Sequence, residues 1–110
     1  MIVNDEVKKI IFNKIEKIKD EYQPDRIILF GSYAYGTPDV DSDVDLLIIK
    51  NTQDRPIDRR LAVAKIISDP ELLIPFESIV LTPKEIDERL SIGDQFLEEI
   101  LQKGEILYAA

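Results

Sequence analysis

The chain has 110 residues, 45% of them hydrophobic, which fits one globular domain with a single core. Its 22 acidic against 14 basic residues give a net charge of -8, which argues against direct, unaided binding to a nucleic-acid backbone. Cysteine and histidine are both absent, which excludes disulfides, thiolate or imidazole metal sites and Ser/His/Asp catalysis.

Membrane and export signals are missing from the printed sequence. No apolar run approaches the length of a membrane span, and the N-terminal MIVNDEVKK lacks the basic-then-apolar order of a signal peptide. We therefore expect one domain over residues 1–110, a cytoplasmic location and no membrane contact.

The first half of the chain predicts one helix and two strands. Apolar residues at spacings of three and four predict an amphipathic helix from Asn4 to Tyr22, with its lysines and glutamates on the solvated face. The apolar runs Arg26–Phe30 and Val44–Ile49 predict two buried strands. The polar segment Asn51–Arg55 predicts a surface connection.

The second half of the chain predicts three helices and one or two strands. A helix begins at Pro56 and ends near Asp69, and a strand follows at Phe76–Thr82. Two helices, Pro83–Ser91 and Asp94–Lys103, are separated by Gly93. Gly104 is the expected C-cap before GEILYAA, a short terminal strand or an extended tail. This alternation predicts an α/β layer structure with a largely covered sheet.

Apolar spacing also predicts which side chains face the core in the helix after Pro56 and in the final helix. The residues that outline the helix after Pro56 are Ile57, Leu61, Ala62, Ala64, Ile66 and Ile67. The residues expected inward in the final helix are Phe96, Leu97, Ile100 and Leu101.

The most informative stretch is FGSYAYGTPDVDSDVDLLIIK, from Phe30 to Lys50. Gly31 and Ser32 end the first buried strand, where a missing Cβ and a hydroxyl allow close approach to a phosphate, although such a pair can also be a simple turn. Asp43 and Asp45 point to one face of an extended chain, about 7 Å apart at their Cα atoms. Two such charges need a cation or a proton between them.

Glu77 supplies a third carboxylate, alone among apolar neighbours in a predicted strand. If that strand lies beside Asp43 and Asp45, the three acids form a hard-oxygen site suited to Mg²⁺. Two such ions could hold an attacking oxygen, a phosphoryl group and a leaving pyrophosphate in line. The alternative is that Glu77 is an edge-strand residue that faces solvent.

Two further aspartates, Asp39 and Asp41, precede this pair. A calcium loop beginning at Asp39 would need glycine at its sixth position and glutamate at its twelfth, but Val44 and Lys50 stand there. We therefore interpret Asp39 and Asp41 as turn residues.

The pattern Gly31-Ser32, ten intervening residues, Asp43-Val44-Asp45 resembles the signature of the nucleotidyltransferase superfamily that includes DNA polymerase β. With GSYAYG, SDVDLLI, the terminal GEILY and the short length, the chain resembles its minimal nucleotidyltransferase (MNT) group. The resemblance covers nearly the whole chain and implies the nucleotidyltransferase fold, a small mixed β-sheet flanked by helices.

The resemblance also implies roles for individual residues. Gly31 and Ser32 would hold the β- and γ-phosphates of a nucleoside triphosphate, Asp43 and Asp45 would bind Mg²⁺, and Glu77 would help to activate the acceptor hydroxyl. The chain departs from the family in two places. The third acid is often aspartate rather than glutamate, and Tyr35 stands where many relatives carry arginine.

The partner implied by the resemblance is a helical HEPN protein, often a ribonuclease toxin that the minimal nucleotidyltransferase neutralises as its antitoxin, in a hetero-oligomer, by AMP transfer to a tyrosine. Two alternatives stay open. The first is a catalytically weak binding module that neutralises its partner by covering it, which fits Tyr35. The second is a small-molecule transferase, such as an antibiotic-modifying enzyme.

Overall fold

The computed structural model describes residues 1, 3–72 and 74–110, and it contains five helices and four strands. In chain order these are α1 (Asp5–Tyr22), β1 (Arg26–Phe30), α2 (Ser32–Tyr35), β2 (Val44–Ile49), α3 (Pro56–Ile67), β3 (Phe76–Leu81), α4 (Pro83–Ser91), α5 (Gln95–Lys103) and β4 (Glu105–Ala109). The predicted order of elements is confirmed, with α2 as an addition inside the central loop.

The strands form one mixed sheet in the order β3-β2-β1-β4. β1 is antiparallel to both β2 and β4, whereas β2 and β3 are parallel and are joined through α3. The predicted small mixed sheet flanked by helices is thereby confirmed. The terminal segment, predicted as strand or tail, is a strand that pairs with β1.

The two faces of the sheet are covered by different helices. On one face, α1 and α3 enclose a cluster that includes Ile15, Leu46 and Val63. On the other face, α4 and α5 cover a cluster that includes Leu47 and Ile100. β1 and β2 are buried on both faces, which agrees with their nearly continuous apolar sequences. No helix in the described part of the chain combines the length and apolarity needed to cross a membrane.

The helix ends follow local side-chain chemistry. Asn4 caps α1 by accepting a hydrogen bond from the Val7 backbone N–H at 2.9 Å. Thr82 is the N-cap of α4 rather than the last residue of β3, and with Glu85 it forms a reciprocal capping box. Gly104 caps α5 in an extended conformation, which lets the chain continue directly into β4.

Three helix faces differ from the sequence prediction. Lys14, predicted on the solvated face of α1, is buried, and its ammonium lies 3.4 Å from Asp69. Ile57 and Leu61, used to outline α3, are about half exposed. Phe96, predicted inward, is 53% exposed and lies edge-on over Phe30 with ring centroids 5.8 Å apart. Spacing marks an apolar stripe, but the neighbouring sheet decides which part of it is covered.

Arg59 is a second buried cation that was not predicted from the sequence. Its guanidinium donates to Glu85 Oε1 at 2.6 Å and to the Asp54 carbonyl at 2.8 Å. The same Glu85 oxygen accepts the Thr82 backbone N–H at 2.8 Å. This ionic cluster joins α3 to the start of α4 across the end of β3.

Candidate active site

The candidate site lies where β1 ends and β2 begins. Gly31 follows the last residue of β1 and is the N-cap of α2, with φ 75° and ψ -159°, a backbone region open essentially to glycine alone. Its carbonyl accepts the N–H groups of Ala34 and Tyr35 at 3.0 Å. The Gly31-Ser32 pair is therefore a sharp strand-to-helix turn, and it directs the start of α2 across the beginning of β2.

The turn at Gly31 lies directly against Asp45. A Cβ built on Gly31 would overlap Asp45 Oδ2 and would lie 3.2 Å from the carboxyl carbon. Glycine is therefore needed here both for its dihedral angles and for its lack of a side chain. The turn that is predicted to hold phosphate therefore contacts one of the predicted metal residues, Asp45.

Strand register brings the third acid to the same place. Asp45 lies opposite Phe30 on β1 and opposite Glu77 on the parallel strand β3. Asp43 precedes β2 by one residue and is half-buried like Asp45. Glu77 belongs to an edge strand and is exposed, as the solvent-facing interpretation predicts, while its register position beside Asp45 leaves the metal role a prediction.

The charges at this end of the sheet are not balanced. Burial, followed by the negative charges of Asp43 and Glu77, raises the pKa of the Asp45 carboxyl above its usual range. Among the ion pairs of residues 1, 3–72 and 74–110, none involves Asp43, Asp45 or Glu77. The arrangement favours a bound cation.

A divalent metal fits these donors by chemistry and exposure. Within the described residues, no three acidic side chains are already gathered around a single point as a metal cage. All three carboxylates are nevertheless at least partly exposed, so an ion from solvent could reach them. Carboxylate oxygens at the end of adjacent strands are the ligands that Mg²⁺ prefers.

The aspartates of the preceding loop have a structural role. Asp39 Oδ1 accepts the backbone N–H of Asp41 at 2.8 Å, and Ser42 Oγ accepts the backbone N–H of Asp39 at 2.9 Å. These bonds form a local turn that leads into Asp43. The interpretation of Asp39 as a turn residue is confirmed, and Asp41 is exposed beside it.

Two arginines that the sequence reading did not connect with the site line a groove next to Glu77. Arg60 comes from α3 and Arg89 from α4, and the groove also exposes Ser78 of β3. Both arginines lie in the helices that precede and follow β3, which could have indicated that they are near Glu77. That prediction also requires knowing that β3 is an edge strand, and this depends on tertiary pairing.

The comparisons with known proteins agree with this geometry. A family model described as nucleotidyltransferase domain matches residues 11–107. Over 64 residues the chain is 44% identical to a Methanocaldococcus jannaschii protein named "Putative protein adenylyltransferase". The aligned segment covers 56% of this chain and 44% of that protein, so the match reaches over less than half of the relative's length.

A solved structure extends the likeness to the whole architecture. The crystal structure described as a "putative nucleotidyltransferase" from Sulfolobus solfataricus superimposes with a TM-score of 0.64. The superposition covers 92% of this chain and 78% of the other, at 19% sequence identity. At that identity the likeness concerns the fold alone, and it confirms the fold predicted from the sequence.

Proposed function

Because the chain belongs to the nucleotidyltransferase domain family, we propose that it transfers AMP from ATP to a hydroxyl group of a partner protein. Nucleotidyl transfer is the reaction class of the family. A protein acceptor is supported by the name of the Methanocaldococcus jannaschii relative. The observation that carries the proposal is the position of Asp45, which lies against Gly31 on the β1 side and opposite Glu77 of β3 on the other.

The proposed nucleotide site divides between two strands. Gly31 and Ser32 would hold the β- and γ-phosphates on the β1 side, while Asp43, Asp45 and Glu77 would hold one or two Mg²⁺ ions at the starts of β2 and β3. When bound, Mg²⁺ neutralises phosphate charge and keeps the reacting oxygens in line. The overall acidity of the chain makes such a counter-ion necessary for a triphosphate.

The reaction exchanges one phosphorus–oxygen bond for another. The acceptor oxygen attacks the α-phosphorus of ATP, a bond forms between them, and the bond to the β-phosphate oxygen breaks to release pyrophosphate. The hydroxyl proton passes to a carboxylate, for which Glu77 is the best placed because it lies on the open edge of the sheet. Asp45, enclosed by Gly31, has no such open approach.

The proposed partner is a HEPN-domain protein, with this chain as its antitoxin. Support comes from the resemblance to the minimal group, which the Gly31-Ser32 and Asp43-Val44-Asp45 pattern carries. Because the proposed acceptor is a hydroxyl of that partner, transfer must be assayed with the partner present.

A second candidate function is a binding module that neutralises the partner by covering it. Tyr35 favours this reading because it is exposed at the end of α2, where many relatives carry arginine. Exposed Ile57 and Leu61 on α3 offer an apolar face for the same purpose. Under this reading, loss of the carboxylates leaves neutralisation intact.

The test is transfer of label from ATP labelled at the α-phosphate to a purified HEPN protein. We expect Mg²⁺-dependent labelling that Asp43→Asn abolishes and Asp41→Asn preserves, since both variants remove one acidic charge from the same loop. Labelling that persists in Asp43→Asn would overturn the assignment. Neutralisation that survives in Asp43→Asn/Asp45→Asn would favour the binding module.

A further inference from the structure

The outer edge of β3, beside Glu77, pairs with no other strand in the described part of the chain. The Val44 N–H donates to the Pro75 carbonyl at 2.9 Å, and the Lys50 N–H donates to the Leu81 carbonyl at 3.1 Å. In a parallel pair, alternate residues direct both backbone groups at the same neighbour. The odd-numbered residues from 75 to 81 therefore face β2, and the even-numbered ones face outward.

The outward-facing residues differ in whether their backbone groups already have a hydrogen-bond partner. The Val80 carbonyl is approached by the buried Arg59 guanidinium at 3.5 Å. No described strand pairs with Phe76 and Ser78 on their outward side, since β3 ends the sheet formed by residues 1, 3–72 and 74–110. An edge of this kind accepts an additional strand through main-chain hydrogen bonds.

Positive charge flanks this edge on both faces of the sheet. Arg60 of α3 and Arg89 of α4 line one groove of about 380 Å³ together with Glu77 and Ser78. In the described residues Arg60 forms no ion pair, whereas Arg89 forms a long one with Asp94 at 3.9 Å, so the charge of Arg89 is partly balanced. Both arginines are exposed, so this edge carries positive charge although the net charge of the chain is -8.

The geometry also separates the two sides of the proposed reaction. Gly31 closes against Asp45 from the β1 side, where the nucleotide phosphates are proposed to lie. Glu77 stands on the opposite side, at the open edge. An acceptor that reaches Glu77 without displacing the nucleotide therefore comes across β3.

We infer that the β3 edge docks an extended, acidic segment of the acceptor protein, which pairs with Phe76 and Ser78 and brings its hydroxyl to Glu77. This inference rests on the proposed function for the role of the segment as acceptor. Arg60 and Arg89 select acidic side chains next to the hydroxyl. A second copy of this chain is disfavoured as the occupant, because it would bring the same arginines together.

The test uses two pools of capped, fluorescent nonapeptides with tyrosine at the centre. Valine and threonine are mixed with glutamate in the acidic pool and with lysine in the basic pool. With Mg²⁺ present to offset the carboxylates near Glu77, we expect the full chain to bind the acidic pool at least about tenfold more tightly, because Arg60 and Arg89 complement its glutamates. Arg60→Glu/Arg89→Glu should remove that preference, whereas Lys17→Glu/Lys103→Glu, with the same change in net charge, should keep it.

Ser78→Pro tests the main-chain part of the inference. Proline removes an outward N–H without touching the bonds to β2, so we expect the fold to persist by circular dichroism and peptide binding to fall about tenfold or more. Failure of wild type to bind either pool, or binding unaffected by Ser78→Pro and by the arginine reversal, would overturn the docking edge. A concentration-dependent dimer that Ser78→Pro abolishes would assign the edge to self-association instead and overturn it as well.

Mg²⁺-dependent ATP binding is measured on the same samples to separate the two proposals. ATP binding without peptide binding overturns the docking edge and leaves the proposed function in place. Peptide binding without ATP binding overturns the proposed function and supports the docking edge.

Discussion

Two half-buried carboxylates of this protein, Glu85 and Asp45, have opposite surroundings. Burial alone would raise the pKa of Glu85, but the Thr82 backbone N–H and the Arg59 guanidinium outweigh burial and lower that pKa. Around Asp45, burial and two neighbouring carboxylates act in the same direction, and the pKa is raised. One carboxylate is supplied with its counter-charge by the fold, and the other is not.

Glu85 therefore belongs to a structural ion pair, whereas Asp45 belongs to the candidate ligand site. The Arg59–Glu85 pair is complete within the chain and joins α3 to α4. The acidic group of Asp43, Asp45 and Glu77 is incomplete, because carboxylates gathered without a cation oppose folding unless something else binds there. Changes in the first cluster should therefore alter stability, and changes in the second should alter ligand binding.

The largest stability effect is expected for Arg59→Met, which leaves Glu85 without its cation and the Asp54 carbonyl without a donor. We expect a loss of about 3 kcal/mol in the free energy of unfolding, since the arginine is buried although Glu85 is partly exposed. Urea unfolding measures it. Arg55→Met is the matched control, because its pair with Asp58 is exposed and should contribute less than about 1 kcal/mol. Similar losses in both variants would contradict this account of the cluster.

Gly31→Ala acts on both properties, because the turn and Asp45 are in contact. The substitution forces a side chain into a backbone region open essentially to glycine, at a cost of about 1 to 3 kcal/mol, and displaces the Asp45 carboxylate. Urea unfolding and ATP titration together measure the effect. Gly36→Ala is the control, since Gly36 also has positive φ but no described atom lies within 4 Å of its added Cβ. Normal ATP affinity in Gly31→Ala would show that the turn does not contribute to the nucleotide site.

Asp45→Asn is expected to have the smallest stability effect and the opposite sign. Because the folded pKa of Asp45 is raised, its contribution to stability is fully present below the unfolded pKa, about 4, and is lost as the pH rises through the folded value. Asparagine has no such loss, so the variant should be more stable than wild type at pH 7, by less than about 1 kcal/mol after solvent screening.

That advantage should vanish below about pH 4, where the aspartate is protonated in both states. Thermal unfolding of both proteins at the two pH values measures the difference. An advantage of equal size at both pH values would show that the charge of Asp45 is not its cause.

The strands and the glycine–aspartate motif could be read from the sequence because each is a local pattern. Nearly continuous apolar runs marked β1 and β2, and the turn chemistry of Gly31 needs no distant partner to be recognised. The nucleotidyltransferase resemblance rested on these local patterns, and the family match confirms it. The narrower minimal group, its HEPN partner and the magnesium site stay predictions.

Features that depend on tertiary pairing could not be read in this way. The position of β3 beside β2 decides both that Glu77 meets Asp45 and that Glu77 is exposed, and periodicity contains neither fact. The exposure of Phe96 depends on how far α5 covers Phe30. Arg59 is buried because Glu85 arrives from a later helix, a pairing across 26 positions that no local spacing reveals.

The central claim is that the unbalanced carboxylates form a metal-dependent nucleotide site. Calorimetric titration of ATP with and without Mg²⁺ tests it directly on wild type, on Asp43→Asn/Asp45→Asn and on the control Asp39→Asn/Asp41→Asn, which removes equal charge from the preceding turn. We predict binding that requires Mg²⁺, persists in the control and is lost in the site variant. ATP binding that is independent of Mg²⁺, or that survives in Asp43→Asn/Asp45→Asn, would contradict the account.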